Sequence, residues 1–528
     1  GDLLLKNGNN ADKRKQSRTD FTVNYLAYST DNGAYYYYLT EQNKTYQDTL
    51  IDIKRYAEAE GIPYRHWLMD SWWYFKGDKN GVKNWTAMPS IFPDGIDYVY
   101  NRTLWPIVAH NRYWSANTDY AKQNGGDFDF CVEHDGSQMA VPLEQRFWDF
   151  LLSDAKKWGL HTYEQDWLYN EFEGLQCILE SATLGRQWLL QMASGAAKNS
   201  LTIQYCMSWP RHVLQSTEFS SVTQARASDD YHPGNDQWRI GVTSIFAHAV
   251  GLVPTKDNFW SMEGEVGRYG NDTEPFPALQ AVVSTLSSGP VAPSDMIGES
   301  DVKLILRSVR ADGLILRPDR PAMVIEAAIK RSAAASNPKQ DNKPLGDIQV
   351  AHSVVSGLPY MQVLAVESPS YNLSLTAMFQ AGGYDDVTPA IVEAFLCFET
   401  SGQDPLRNFQ ELDRRSSSSS SSLQLPAAPT KKDFSLWNVV PRIPSTSWVF
   451  LGEAVDKWVA VSGSRFSEIQ ANSEELSVVA SGPPGEIVTA YARPADDLPV
   501  AKGRCEVPEA GAVKMIFDLD GGSSCGAI

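Results

Sequence analysis

The sequence predicts a (β/α)₈ barrel of the TIM type followed by a C-terminal antiparallel β-sandwich domain. Its 528 residues are too many for one ordinary hydrophobic core, so at least two domains are expected. Short runs rich in β-branched and aromatic residues alternate with longer helix-like stretches up to about residue 322, which is typical of βα units around a parallel sheet. Beyond that point short β-like blocks follow one another with turn residues between them.

Eight short apolar runs are the candidate strands of the barrel. They comprise residues 21–29, 64–70, 105–110, 160–166, 201–207, 221–227, 249–255 and 289–295. Helix-like stretches such as 143–159 and 181–199 separate several of them. Eight such units make one closed barrel.

The predicted domain boundaries follow from changes in composition along the chain. A polar lead-in covers residues 1–20, the catalytic barrel covers 21–322, and the β-sandwich domain covers 323–528. Inside the last domain, the unbroken serine run Ser416 to Ser422 predicts a flexible insertion near 413–432, because such a segment cannot bury apolar area.

The overall charge narrows the classes of partner. A net charge of −18 repels phosphate backbones, so nucleic acid is not expected as a partner. Mean hydropathy is −0.33 and no apolar run reaches about 18 residues, so no membrane span is expected. Neither an HExxH-type motif nor a paired-histidine spacing occurs, so we expect no metal site and no cofactor. The oligomeric state cannot be inferred from these features.

Cysteines and glycosylation sequons favour a secreted glycoprotein. Cys505 and Cys525 are one candidate disulfide pair, and Cys131 and Cys177 are a second, whereas Cys206 lies in an apolar run typical of a core thiol. N-x-S/T sequons stand at Asn43, Asn84, Asn101, Asn271 and Asn372.

Acidic residues follow most of the predicted strands. In a barrel the carboxyl ends of the strands meet at one mouth, where active sites lie. The polar residues at these ends are Asp31, Asp70, His110, Arg112, Glu164, Asp166, Arg226, Asp229, Asp230, Asp257 and Asp295. Any single aspartate could instead cap the following helix. Several of them stand beside aromatic and basic residues rather than before clear helix starts, which favours a shared site.

Clustered acids with interleaved aromatic residues suit glycoside chemistry. Cleavage of a glycosidic bond needs one carboxylate near the anomeric carbon and one carboxylic acid that protonates the leaving oxygen. The two acids must occupy environments that separate their pKa values. Aromatic side chains such as Trp72, Trp167 and Trp260 can stack on sugar rings, although most aromatic residues fill cores.

Three stretches of this sequence resemble the raffinose-synthase-like branch of glycoside hydrolase family 36. They are QARASDDYHPGNDQWRIGVTSIFAHAVGLVPTKDNFWSM (224–262), ALQAVVSTLSSGPVAPSD (278–295) and DGLILRPDRPA (312–322). The family consists of retaining α-galactosidases, α-N-acetylgalactosaminidases and related transglycosylases on (β/α)₈ barrels. The resemblance therefore implies an oligosaccharide or glycoconjugate substrate with α-linked sugars.

The resemblance also implies roles for individual residues. The nucleophile is Asp166 in YEQDW, and the acid/base is Asp229 in RASDD, with Asp230 as the second choice. Substrate contacts are implied for Asp31, Asp70, Trp72, Arg226 and Asp257. His110, Arg112, Glu164, Asp230 and Cys206 complete the candidate binding residues, with a packing role equally open for Cys206.

Two positions depart from the family pattern. The family has a Lys two residues before the nucleophile, where this chain has Glu164, and it has a first acid in its D-D-G-W motif, where this chain has Met69. Both changes alter the hydrogen-bonding groups of the sugar pocket. We expect them to change the sugar that is recognised, an α-galactoside or a modified hexose, more than the type of reaction.

Two functions from different classes stay open at this point. The first is a retaining α-glycoside hydrolase or α-transglycosylase that works by double displacement. The second is a non-catalytic extracellular glycan-binding or structural glycoprotein on a glycosidase-like barrel, because a fold does not guarantee an activity. An inverting hydrolase or a lyase on the same barrel is a weaker third reading.

Overall fold

The computed structural model describes residues 16–264, 273–334, 346–382, 391–399, 406, 409–413, 421–494 and 498–528. The chain forms two compact units. The first comprises Gly1–Gln237, Phe246–Glu274 and Gly289–Val302, and the second comprises Trp238–Ile245, Pro275–Ser288 and Lys303–Ile528. Among the described helices, none has the length and apolarity that crossing a lipid bilayer requires.

The described residues of the first unit form twelve strands, and seven of these make one parallel sheet. The strands are β1 Ala27–Ser29, β2 His66–Met69, β3 Tyr74–Lys76, β4 Val82–Ala87, β5 Ile107–Asn111, β6 Trp114–Ser115, β7 Phe130–Glu133, β8 Met139–Pro142, β9 Leu160–Gln165, β10 Thr202–Tyr205, β11 Val222–Arg226 and β12 Val253–Thr255. The parallel sheet has the order β1-β2-β5-β9-β10-β11-β12. A sheet of sequential parallel strands fits a TIM-like barrel.

Helices connect most of the parallel strands. The described α-helices of the chain are α1 Phe21–Asn24, α2 Tyr46–Glu60, α3 Ile96–Thr103, α4 Gln145–Lys157, α5 Leu168–Gly174, α6 Gln176–Leu179, α7 Leu184–Lys198, α8 Pro210–Gln215, α9 Gly241–Ala249, α10 Pro277–Leu286, α11 Val302–Leu306, α12 Glu326–Ala334 and α13 Leu375–Gly382. The helices α4 and α7 stand within the predicted stretches 143–159 and 181–199. Each of the two buries an apolar face that includes Trp148 or Trp188.

The first predicted strand is partly wrong. Residues 21–24 form the short helix α1 because the carboxylate of Asp20 caps it, accepting a hydrogen bond from the Thr22 amide at 3.0 Å. Only Ala27–Ser29 is extended and paired in the sheet. The seventh predicted run is shorter than expected for a related reason, since Ala249 still belongs to α9 and the strand begins at Val253.

The eighth predicted run, 289–295, is not a regular strand of the sheet. It still forms backbone hydrogen bonds with β1 on one side and with Phe259, which follows β12, on the other. The amides of Ala27 and Ser29 donate to the carbonyls of Val291 and Pro293, and the amide of Ser294 donates to the carbonyl of Phe259. Proline has no amide hydrogen, so Pro290 and Pro293 cannot supply a continuous ladder.

A mixed five-stranded sheet, β3-β4-β6-β8-β7, is an addition that the sequence did not predict. Its strands belong to the long excursions that follow β2 and β5. The disulfide Cys131–Cys177 joins β7 of this sheet to α6, which follows β9. The pairing confirms one of the two disulfides expected from the sequence.

A buried polar network lies at the amino ends of the parallel strands. Asp20 Oδ2 accepts a hydrogen bond of 2.6 Å from the Thr223 hydroxyl, and the Thr22 hydroxyl lies 3.0 Å from the Thr162 hydroxyl. The Ser17 hydroxyl donates to the carbonyl of Gly251. The segment before β1 is therefore fastened across the strand ends opposite to the predicted active site.

The second unit consists mainly of antiparallel strands. They are β13 Arg320–Val324, β14 Asp347–Val355, β15 Leu358–Val366, β16 Tyr371–Ser374, β17 Ile391–Glu399, β18 Gln410–Asp413, β19 Ser422–Leu425, β20 Ser435–Pro441, β21 Val449–Gly452, β22 Phe466–Ala471, β23 Glu475–Ser481, β24 Ile487–Arg493, β25 Ala501–Glu506, β26 Ala512–Asp518 and β27 Ser523–Gly526. They form sheets of six, two, three and four strands. A C-terminal β domain is therefore present.

Two cores stabilise this unit. One joins residues of the six-stranded sheet, such as Phe395, to residues of the three- and four-stranded sheets, such as Phe450 and Phe517. The other packs α12 and α13 against Val363 and Trp437. The disulfide Cys505–Cys525, also expected from the sequence, joins β25 to β27.

The predicted flexible insertion near 413–432 is only partly described. Residues 414–420 lie outside the described residues. Directly after them, Ser422–Leu425 forms β19 and pairs antiparallel with Tyr371–Ser374. This part of the predicted insertion is therefore ordered as a strand.

Candidate active site

The carboxyl ends of the parallel strands bring the predicted residues together. In the register of the sheet His110 is the partner of Glu164, and Glu164 is the partner of Gln204. These three side chains come from β5, β9 and β10. Because alternate residues of a strand point to the same face, Asp166 and Cys206 follow on the same side as Glu164 and Gln204.

Asp166 is held as an ionised carboxylate. Its Oδ1 accepts a hydrogen bond of 2.7 Å from the Trp167 amide, and its Oδ2 lies 3.0 Å from His110 Nε2. Burial raises the pKa of Asp166, but the hydrogen bonds from His110, the Cys206 thiol and the Trp167 amide outweigh it and lower that pKa below its usual value. Trp167 adopts a left-handed φ of 55°, which turns its amide back to the carboxylate.

His110 is a buried imidazole between two acids. Its Nε2 lies 3.0 Å from Asp166 and 3.6 Å from Asp70, and its Nδ1 lies 3.0 Å from the Tyr74 hydroxyl. Burial lowers the pKa of His110, but the nearby carboxylates of Asp70 and Asp166 overcome this effect and raise it above the usual value. The contact with His110 orients Asp166 and contributes to the lowered pKa of that carboxyl.

Arg226 contacts the acidic side chains on the other side of the site. Its guanidinium lies 2.6 Å from Asp31, 2.8 Å from Asp257, 3.5 Å from Asp230 and 3.9 Å from Glu164. The side chain is only 5% exposed. Acids from four strand ends therefore share one buried cation, in agreement with the position of Arg226 at the end of β11.

Glu164 is a buried acid with spare hydrogen-bonding capacity. Its Oε1 accepts a hydrogen bond of 2.9 Å from Gln204 Nε2, while its Oε2 has no partner among the described residues. Burial raises the pKa of Glu164 to about 7, although His110 and Arg226 act in the opposite direction. Burial and the carboxylates of Asp257 and Asp70 likewise raise the pKa of Asp31.

Asp229 and Asp230 differ sharply in their surroundings. Asp229 is exposed, whereas the Asp230 side chain is 38% exposed and lies beside Arg226. Burial raises the pKa of Asp230 to about 6; Arg226 opposes this shift, and Asp257 and Asp166 add to it. Of the two adjacent aspartates, Asp230 is the one that the backbone after β11 directs toward Arg226, and its electrostatic coupling extends to Asp166.

Other predicted residues take more structural positions. Trp72 is buried, donates through Nε1 to the Thr30 hydroxyl and stacks on Tyr46 at 3.8 Å, so its packing is that of a core residue and its expected sugar contact is corrected. Met69 is fully buried. Asp295 also packs inside, where its carboxylate accepts hydrogen bonds from the Ser261 amide and hydroxyl.

Several site residues were missed by the sequence interpretation. Gln204 could have been found, since it precedes Cys206 by two residues on the same strand face. Tyr74 and Lys76 could not, because they belong to the added five-stranded sheet. Arg112, which was predicted, stacks its guanidinium over Trp167 at 4.6 Å.

Metal-ligand geometry occurs once within the described part of the chain, in the group Cys131, Glu133 and Cys177. Both cysteines are joined in the disulfide, which removes their sulfur atoms as thiolate ligands. Among the predicted glycosylation sites, Asn43, Asn101 and Asn372 are exposed, whereas Asn84 is half-buried with its amide bonded to Asp119. Asn271 lies outside the described residues.

Comparisons with known proteins add to this geometry. No protein-family model matches the chain. Over 275 residues the chain is 25% identical to a probable galactinol–sucrose galactosyltransferase 6 of Arabidopsis thaliana, a match that covers 47% of this chain. The matched region spans only 34% of that relative's length.

Comparison with solved structures finds chains of similar fold. A GH27 β-L-arabinopyranosidase from Geobacillus stearothermophilus superposes with a TM-score of 0.50 at 12% identity, covering 81% of this chain and 99% of that chain. An α-galactosidase from Lactobacillus brevis gives a TM-score of 0.48 at 11% identity, covering 82% and 58%. The fold of this chain is therefore similar to that of the GH27 structure, and the sequence match to the galactosyltransferase agrees with the resemblance seen in the sequence.

Proposed function

We propose that the protein is a retaining α-glycoside hydrolase or α-transglycosylase, with Asp166 as its nucleophile and Asp230 as its acid/base. One observation carries the proposal. Two carboxylates, one after β9 and one after β11, have pKa values driven in opposite directions, below the usual value for Asp166 and to about 6 for Asp230. Two carboxyl groups whose pKa values are separated in this way supply an ionised nucleophile and a protonated acid at the same pH.

In the first step Asp166 attacks the anomeric carbon while the glycosidic C–O bond breaks. The proton of Asp230 passes to the leaving oxygen, and a glycosyl ester of Asp166 forms. His110 and the Trp167 amide keep the attacking carboxylate oriented. The role that the sequence suggested for Asp229 passes to Asp230 in this proposal, because Asp230 lies 3.5 Å from Arg226 among the site acids whereas Asp229 is exposed.

In the second step the Asp230 carboxylate takes a proton from an acceptor hydroxyl. The acceptor oxygen attacks the anomeric carbon, and the ester bond to Asp166 breaks, so the configuration is retained. Water as acceptor gives hydrolysis, and a sugar hydroxyl gives transglycosylation. The galactosyltransferase named above supports the second possibility for this site, although this chain matches only a third of that protein.

Recognition of the sugar falls to the acids around Arg226 and His110. Asp31, Asp70, Glu164 and Asp257 accept hydrogen bonds from sugar hydroxyls in this proposal. Because a buried carboxylate left unpaired costs free energy, such a pocket discriminates strongly between hydroxyl patterns. With Met69 and Glu164 at two recognition positions, the substrate is an α-galactoside-like sugar or a modified hexose.

The proposal includes a complete barrel and an extracellular setting. The hydrogen bonds of residues 291–294 to β1 and to Phe259 support an eighth, irregular strand that closes the barrel. Two disulfides support an oxidising compartment, and the exposed sequons support glycosylation there.

The test is a screen of 4-nitrophenyl α-galactoside, α-glucoside and α-N-acetylhexosaminides with product configuration read by NMR. Asp166→Asn should abolish turnover of every substrate that is cleaved. Asp230→Asn should lower the rate by roughly 10² to 10⁴ for substrates with poor leaving groups and much less for an activated aryl glycoside that needs no protonation. Asp229→Asn is the matched control and should retain most activity.

The outcomes separate the competing functions. An inverted product would contradict the retaining mechanism. A leaving-group-dependent loss in Asp229→Asn rather than Asp230→Asn would reverse the assignment of the acid/base. If no glycoside is cleaved while a glycan array shows binding, the protein is a glycan-binding protein on a glycosidase-like barrel.

A further inference from the structure

Two basic side chains near the proposed nucleophile form no ion pair with an acid among the described residues. Lys76, at the end of β3, places Nζ 4.4 Å from the ring of Tyr38 and 5.9 Å from the ring of Tyr74. Arg112, just after β5, places its guanidinium 4.6 Å from the ring of Trp167 and 5.3 Å from that of Tyr113. Both cations therefore rest on aromatic faces.

These contacts connect the cations to the nucleophile. Tyr74, which contacts Lys76, bonds to His110, and His110 bonds to Asp166. Trp167, which contacts Arg112, is the residue after Asp166 and donates its amide to it. Lys76 is thus linked to the nucleophile through Tyr74 and His110, and Arg112 is linked to it through Trp167.

Their lack of acidic partners is unusual for this site. The other cations near the acids, Arg226 and His110, lie within 3.0 Å of a carboxylate. Within the described part of the chain, Lys76 and Arg112 form no ion pair, and Arg112 Nε is buried without a hydrogen-bond partner. Burial and the charge of Arg112 lower the pKa of Lys76 to about 8, so each cation disfavours the charge of the other.

We propose that Lys76 and Arg112 form an anion subsite, so that the preferred α-glycoside carries a sulfate, phosphate or carboxylate group. The expectation that the ligand contains a sugar rests on the proposed function, whereas the expectation of an anionic group rests on Lys76 and Arg112. An anion between the two cations would supply the counter-charge that neither has in the described structure. Arg offers a planar fork for two oxygens, and Lys adds a mobile point charge, which together suit a multi-oxygen anion.

The surroundings also favour an anion attached to a sugar over a free inorganic ion. Tyr38 is 43% exposed, and its hydroxyl lies 2.8 Å from the Ser71 hydroxyl, beside Asp70. An aromatic face next to both a cation and a recognition acid can pack against a sugar ring whose substituent reaches Lys76.

The first experiment compares kcat/KM for 4-nitrophenyl α-galactoside with that for its 6-sulfate, its 6-phosphate and the corresponding α-galacturonide. We expect one charged substrate to be preferred, and its identity assigns the anion. Lys76→Met should lower the ratio of charged to neutral kcat/KM by roughly tenfold or more. The matched control is Lys83→Met in β4, a lysine that lies 3.8 Å from Asp119 and away from the site residues; it should leave the ratio as in the wild type.

The second experiment needs no turnover. Acylation of Lys76 by an amine-reactive label is followed by mass spectrometry in the full chain, with and without galactose 6-sulfate, galactose 6-phosphate, galacturonate or inorganic sulfate. Protection of Lys76 but not of Lys83 by a charged sugar supports the subsite, even if no glycoside is cleaved. Protection by inorganic sulfate alone, equal protection by neutral galactose, or no protection overturns it.

Discussion

Arg226 offers the sharpest test of how the site is stabilised. Replacing it by Met removes the guanidinium that lies 2.6 Å from Asp31 and 2.8 Å from Asp257, in a place where the side chain is only 5% exposed. Removing one partner of a buried ion pair costs about 3 to 5 kcal/mol, because the remaining charge is left uncompensated.

The stability deficit of Arg226→Met should depend on pH, and its direction of change can be predicted. Buried acids without a counter-charge bind protons more tightly in the folded variant than in the unfolded chain. Stability of the variant is therefore retained at low pH and lost as the pH rises through the raised values. The deficit relative to the wild type should be largest at pH 7 to 8 and should shrink below about pH 5.

Scanning calorimetry between pH 4.5 and 8 measures this deficit. We expect the transition of the first unit to fall on the order of 10 °C in Arg226→Met at pH 8, and by less than half of that at pH 4.5. The control is Arg102→Met, an exposed substitution in the last turn of α3, which should change stability by about 0.5 kcal/mol or less at every pH. A deficit that is the same at pH 4.5 and pH 8 would refute the reasoning.

Three further predictions follow from the same contacts. In His110→Gln the loss of a charge-assisted hydrogen bond should move the acidic limb of the kcat/KM profile upward by about 1 to 2 pH units, and an unmoved limb would show that His110 does not control Asp166. Because the pKa of Asp230 is raised to about 6, wild-type kcat/KM should fall as the pH rises above about 6, whereas activity that rises steadily to pH 8 would exclude Asp230 as the proton donor. For Glu164→Gln, the melting temperature of the variant minus that of the wild type should grow as the pH rises from about 4.5 to 7 and should then stay constant. The reason is that the raised carboxyl pKa of Glu164 destabilises the wild type in that window. A difference that does not vary with pH would contradict a buried acid.

Much of the parallel sheet could be predicted because its strands are buried on both faces. Runs such as 105–110 and 201–207 are apolar and β-branched or aromatic enough to show their type without tertiary information. The first run misled because one side chain, Asp20, caps a helical turn inside it. The last predicted run, 289–295, does not form a regular strand because its two prolines lack the amide hydrogens that a continuous hydrogen-bond ladder needs.

The added five-stranded sheet was beyond local patterns. Its strands are two to six residues long, and they pair across segments far apart in the chain, such as β4 with β6. Neither Tyr74 nor Lys76 stands at the end of a barrel strand, so the rule that located the acids could not find them. Pairings of this kind depend on tertiary packing more than on local sequence.

The candidate site was predicted as a group more reliably than in its details. Strand ends located Asp166, Arg226 and their neighbours, since parallel strands must end at the same edge. Choosing between Asp229 and Asp230 required the backbone turn after β11, because adjacent residues point in different directions. A motif match alone does not contain that information.

The polar network at the amino ends of the strands has a practical consequence for work on shorter chains. Asp20 is the acceptor for the Thr223 hydroxyl and for the Thr22 amide, and Ser17 is bonded to Gly251. A chain shortened beyond Asp20 would leave buried hydroxyl and amide donors unsatisfied, at a cost of about 1 to 3 kcal/mol for each. The bonds cross from the first helical turn to strands more than 130 residues away, as the Thr22–Thr162 contact shows with a separation of 140. Residues 17–22 therefore connect strands from the early and late parts of the parallel sheet, and any shortened version should begin upstream of Ser17.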